Sequence, residues 1–271
     1  MSMPADQTTR PSERADVSGG AEGQEPSARP SRPSRPSRLA RALIRVSVGW
    51  LIVALIFWAW YLGAIAFAPQ FLYPFLWLGL VGLPVWFWRR PLAVRLRAWR
   101  FPGFLKFMAL GYLMMLIEEV IAALVNHLSE GFSWPLFVQR VGQFWALNLF
   151  TFTGFFLGWY LLARFIGYSR VEMFYLGGCF GLYSERVIFL PLQGQLAPFV
   201  LFAPLIIFTY GLILTPATLS LGEPRKPYLI WPLRYPLAFL IPFLCSLPPV
   251  ILLQSLRARF PDWFPPRNFV P

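Results

Sequence analysis

Two glutamates, Glu118 and Glu119, sit side by side within the apolar run Phe104 to Leu128, FLKFMALGYLMMLIEEVIAALVNHL. They are the only adjacent acidic pair in the chain. A charge at the centre of a bilayer costs roughly 2.5–3.5 kcal/mol, so carboxylates in such a run are expected to face protein or a cavity. Two carboxylates held this close resist joint ionisation. A pair of this kind suits proton or cation binding, or activation of a water for hydrolysis. Glu118, Glu119 and Asn148 are therefore the candidate reactive groups, and Arg186 is the expected counter-ion.

The elements that bring these residues together are expected to be helices with small-residue stripes. Gly154 and Gly158 lie on the fourth apolar segment and Gly177 and Gly181 on the fifth. Glycines four apart let two helix backbones approach closely in lipid. On the fourth segment Asn148, Thr151, Gly154 and Gly158 recur at three- and four-residue spacing, and so share a face. Docking that face on Gly177 and Gly181 sets Asn148 and Thr151 against Ser184 and Glu185, with Arg186 next in sequence about 100° round the helix. At the helical rise, Glu118, Glu119, Thr151 and Arg186 all fall about 20 Å from the tail-side face. One polar cluster is expected, comprising Glu118, Glu119, Asn148, Thr151, Glu185 and Arg186. It is either a buried ionic lock between helices or a catalytic or transporting site. His127, the single histidine, is expected near the opposite interface, on a path inward with Asn126 and Glu119.

The pair Glu118–Glu119, followed about 30 residues later by Phe144-x-x-x-Asn148, resembles the CAAX-processing and bacteriocin-processing intramembrane proteases. That family carries EExxxR in one span, FxxxH in the next and HxxxN/D further on, with a glutamate activating water. The resemblance covers Glu118, Glu119 and Phe144. The family's arginine falls at Ala123, its second-motif histidine is Asn148 here, and no third-motif histidine exists. The resemblance implies glutamate-activated water without the histidines that assist the oxyanion.

Composition frames the rest. Only 13% of the 271 residues are charged, against 57% hydrophobic; a soluble domain carries roughly a quarter charged residues. The deficit points to lipid, and the 12 Trp suit two interfacial belts. The expected fold is an all-α, polytopic transmembrane helical bundle of six or seven spans, with a disordered N-terminal tail. Residues 1–45 are rich in Pro, Ser and Arg, with the repeat SRPSRPSR, and bury too little apolar surface to fold. The bundle is expected over 46–256 and a short polar tail over 257–271. Apolar segments are read at 46–67, 71–88, 104–127, 143–164, 173–191, 197–219 and 235–256. Prolines 242, 248 and 249 interrupt the last, so a re-entrant final segment is an alternative to a seventh span.

Basic residues fix the expected orientation. They crowd the tail, the stretch RRPLAVRLRAWR after the second segment, and the connections after the fourth and sixth. The opposite loops carry Arg140 alone, although Arg257 and Arg259 follow the last segment. This asymmetry predicts a multi-pass protein of the cytoplasmic membrane with its N-terminus inside. The arginines from Arg29 to Arg45 are expected to attract anionic headgroups. A partner membrane protein is compatible with the tail. Cys179 and Cys245 lie in apolar runs and read as small buried hydrophobes. The chain has no Walker loop, dinucleotide fingerprint, haem motif or metal-ligand spacing. No cofactor, metal or nucleic acid is therefore expected, and no secretory signal is read ahead of the first apolar run.

Overall fold

The computed structural model describes residues 38–65, 68–128, 131–222, 229–261 and 264. The Pro/Ser/Arg-rich tail up to residue 37 and most of the C-terminal tail lie outside the described residues. The described chain is helical with no strand. Eight α-helices follow one another: α1 (Arg38–Ala64), α2 (Tyr73–Leu76), α3 (Leu83–Ala98), α4 (Gly103–Leu128), α5 (Trp134–Leu161), α6 (Arg170–Ser184), α7 (Leu196–Ser220) and α8 (Trp231–Arg259). Wide π-helical turns at Trp77–Gly82 and Leu162–Ile166 join α2 to α3 and extend α5. Pro84 lacks the N–H that Leu80 would use, which explains the widened turn ahead of it.

Five helices are long and apolar enough to cross a membrane: Arg41–Ala64, Gly103–Leu128, Trp134–Ile166, Leu196–Ser220 and Pro232–Arg259. Helix α1 shows why. Leu51, Ala54 and Trp58, three and four residues apart, are buried against the bundle, while Ile52, Val53, Ile56 and Trp60 are exposed. Both faces are apolar because one meets protein and the other suits lipid. The bundle centre is aromatic: Trp77, Phe107, Phe152, Phe155, Phe156, Trp159 and Tyr168 are buried together.

Two elements differ from the segments read in the sequence. The arginine-rich stretch after the second segment is not a loop but the second half of α3, with Ala93 and Leu96 buried. Lys106 explains how that helix can end there: its Nζ donates to the carbonyls of Leu96, Arg97 and Trp99 at 3.3–3.5 Å. Conversely, α6 stops at Ser184, well short of residue 191. Glu185 closes it, Arg186 turns the chain at φ 60°, and two 3-10 turns (Val187–Phe189 and Pro191–Gln193) lead to α7. Helix α8 runs unbroken through Pro236, Pro242, Pro248 and Pro249.

The glycine stripes do not dock on one another. Gly154 and Gly158 lie against α8: an added Cβ would fall 2.4 Å from the Cys245 carbonyl oxygen and 2.4 Å from Pro242 Cα. Pro249 has no N–H to offer the Cys245 carbonyl, so Gly154 lets the α5 backbone cover a group left without its helical donor. Gly177, Gly178 and Gly181 lie against α7 instead, facing Leu214, Ile207 and Tyr210. Helices α5 and α6 meet through rings, with Phe155 and Phe180 centroids 5.3 Å apart. Bulky aromatic side chains hold those two backbones apart, and each glycine pair serves a different neighbour.

One buried joint ties the starts of α6 and α8. Ser169 caps α6 with a reciprocal Glu172 capping box. Arg234, buried on α8, pairs with Glu172 at 3.2 Å and donates to the Gly167 carbonyl at 3.1 Å. The Tyr168 hydroxyl donates to the Arg234 carbonyl. Burial pushes the Tyr168 phenol up to about 12 against the opposing pull of Arg234, so it remains a donor.

Candidate functional site

Five helices deliver polar side chains to one cavity of about 550 Å3. Helix α4 supplies Glu118 and Glu119, and Asn126 two turns further on lines the same space. Helix α2 supplies Tyr73, whose hydroxyl donates to Glu118 Oε1. Helix α5 supplies Asn148, whose amide donates to Glu119 Oε1. The end of α6 supplies Glu185, whose Oε1 accepts from the Tyr210 hydroxyl of α7 at 2.5 Å. Ser184 Oγ donates in turn to Tyr210 at 3.0 Å. The remaining wall is apolar and aromatic, with Trp58, Phe71, Phe152 and Phe202.

Local rules explain the arrangement. Gly181 has no side chain, and the ring of Tyr210 fills the place its Cβ would take, 2.5 Å away. That close approach lets the phenol reach Glu185. Glu185 occupies the C-cap of α6, where the helix dipole presents partial negative charge. A carboxylate there adds to that potential, so the short helix presents negative charge twice over to the cavity. No basic side chain is among the cavity's described lining residues.

The residues singled out in the sequence divide clearly. Glu118, Glu119, Asn148 and Glu185 converge on the cavity. Thr151 does not: it is exposed and bonds to the Leu147 carbonyl of its own helix. Beyond the half-buried Asn148, the buried residues of α5 are Phe152, Gly154, Phe155, Phe156, Gly158 and Trp159, so the rings turn inward beside the two glycines while Thr151 stays outside. Arg186 sits exposed on the turn after α6, and no ion pair joins it to a glutamate among the described residues. Its left-handed backbone lies beyond the helix end, so the azimuth expected from a continuous helix does not apply.

His127 does not line the cavity. It is buried at the end of α4, its Nε2 accepting from the Ser133 N–H at 2.7 Å, with its ring against Phe132 and Phe137. The sequence reading did not include Tyr73, Thr209 or Tyr210. Thr209 and Tyr210 interrupt the most apolar helix of the chain, and that interruption was the available signal. Tyr73 carried none, since a tyrosine at the edge of an apolar run reads as an interfacial anchor.

The fold and the cavity define a class, a multi-helix integral membrane protein with an acidic internal site. No protein-family profile, no curated protein and no solved structure matches the chain.

Proposed function

We propose that the cavity binds a cation, either a proton or a cationic solute, in a transport-like role. The observation that carries this reading is the meeting of Glu118, Glu119 and Glu185 on one cavity without a basic lining residue among those described. Acids inside a membrane protein persist when they face its interior and take part in binding or proton relay. A buried Arg–Glu lock needs a guanidinium within reach, and Arg186 has none of the glutamates as an ion-pair partner among the described residues.

The test uses purified full-length protein and the single variants Glu118→Gln, Glu119→Gln and Glu185→Gln. Sodium, tetramethylammonium and pH are titrated while the thermal midpoint is read. A saturable rise is expected for the wild type, with apparent affinity about tenfold weaker in Glu119→Gln. Helical content and yield should be unchanged. If the variants respond like wild type, or merely lose folded yield, the cluster is an interhelical joint and the cation reading is wrong.

One contact favours a second reading. Asn148 bonds to Glu119, so the glutamate pair touches the residue standing where the second motif of the glutamate intramembrane proteases has its histidine. A water held by Glu119 is then a candidate nucleophile. Against it, the one histidine is committed to the turn at Ser133. Cleavage of a peptide substrate by wild type but not Glu119→Gln would favour this reading over cation binding.

For the topology, we propose that the chain crosses seven times in the cytoplasmic membrane. Helices α2–α3 and α6 would serve as a kinked and a short crossing beside the five long ones. The tail would lie in the cytoplasm with its arginines near anionic headgroups.

A further inference from the structure

A second cavity, of about 420 Å3, opens among the ends of α4, α5, α6 and α7 that lie away from the glutamates. Its polar lining is basic: Lys106 from α4, Arg164 from the wide turn after α5 and Arg170 from α6, with Thr218 and Ser220 of α7 beside them. No acidic side chain is among its described lining residues. Lys106 is only 9% exposed, and its ammonium meets three backbone carbonyls, none closer than 3.3 Å, with no carboxylate in salt-bridge range among the described residues. Arg164 is exposed at the rim, with no hydrogen bond or ion pair among the described residues. Arg170 reaches across the mouth to the Gly222 carbonyl at 3.4 Å.

Burying an ammonium against neutral acceptors alone is costly. Carbonyls disperse part of the charge, but an anion in the adjoining concavity would neutralise it and engage Arg164 as well. Guanidinium groups match the tetrahedral oxygens of phosphate better than a point charge does. Basic pockets between helices at a membrane face are a recurring form of phosphate-headgroup site. The cavity is far larger than one water, whose share of liquid volume is about 30 Å3. It has room for a phosphate and the polar group esterified to it.

We propose that this basic cavity is a binding site for a phosphate-ester anion, with Arg164 and Lys106 as its principal cationic contacts. Such a ligand comes either from an anionic phospholipid or from a soluble phosphate ester. The site is separate from the acidic cavity and stands or falls independently of the function proposed there.

Full-length protein in neutral detergent supplies the test, with the thermal midpoint read against phosphatidylglycerol, phosphatidylcholine and glycerol phosphate. Phosphatidylglycerol should raise the midpoint and phosphatidylcholine should not, and Arg164→Gln should weaken the effect about tenfold. The N-terminal arginines are untouched in that variant, so attraction of lipid by the tail alone would leave Arg164→Gln like the wild type and overturn the proposal. A rise with glycerol phosphate as well identifies a soluble ester as sufficient, and a rise with phosphatidylglycerol alone identifies a lipid. Equal response to both lipids overturns the site. Because Lys106→Met also removes the cap on α3, it is read second, and only if its helical content equals that of the wild type.

Discussion

At the residue scale, Gly154 is the most restrictive position on α5. A side chain there meets the α8 backbone at 2.2–2.4 Å, on Ser246 and Cys245, and backbone cannot swing aside as a flexible side chain can. Gly154→Val is expected to destabilise by about 1–3 kcal/mol, or to lower the folded yield, measured by thermal unfolding in detergent. Gly142, which faces open space, should accept alanine with little effect. The same scale shows what the sequence made legible. The acids and Asn148 could be found because charge and amide are conspicuous in an apolar run. Their hydroxyl partners could not, since Tyr73 and Tyr210 look like ordinary membrane aromatics until their hydrogen bonds are seen. Gly154 and Gly158 could be recognised as a packing stripe, but nothing in their spacing says which helix they meet.

At the scale of elements, hydropathy located the long apolar helices more faithfully than it predicted helix ends. The run VIFLPL after Arg186 is apolar enough to extend the fifth segment, yet α6 ends before it. Apolar composition reports the medium, whereas the stop depends on the left-handed turn at Arg186 and on Pro191. The reverse error occurred at α3, where arginines read as a loop although Leu92, Ala93 and Leu96 keep a helical stripe inward. Arginine is a good helix former. The joint between α6 and α8 was also hidden, because Glu172 and Arg234 are 62 residues apart. Removing Arg234 leaves Glu172 without its partner, but that acid is 27% exposed. Arg234→Met is therefore expected to cost about 2 kcal/mol, less than a fully buried pair would. Thermal unfolding of Arg234→Met beside Glu172→Gln and the double variant checks this, and the double variant should lose less than the two singles together.

At the scale of the whole molecule, an all-helical membrane fold was legible from composition together with the lengths of the apolar runs, and five helices meet the length and hydropathy it demands. Of the six residues expected in the polar cluster, Glu118, Glu119, Asn148 and Glu185 line the cavity, whereas Thr151 and Arg186 do not. Depth follows from the rise per residue, whereas azimuth depends on which neighbours the glycines and aromatics select. The proposed seven-crossing path makes a direct prediction for the loops. A cysteine at Trp134, which is exposed at the start of α5, should react with an impermeant maleimide added to intact cells. A cysteine at Arg100, exposed after α3, should react only after the membrane is opened. Labelling of both from the same side would rule out the alternating path.

The early end of α6 carries an electrical consequence. Its 15 residues span about 22 Å, against a hydrocarbon layer about 30 Å thick. On the proposed seven-crossing path α6 is a short crossing, so the insulating layer in series with the cavity would be thinner on that side, and most of the membrane voltage would fall across the other. The whole drop is worth about 2.3 kcal/mol per elementary charge at 100 mV. An ion entering from the Glu185 end would traverse only a minor share of it, so occupancy from that side should depend weakly on voltage while passage onward should depend on it steeply.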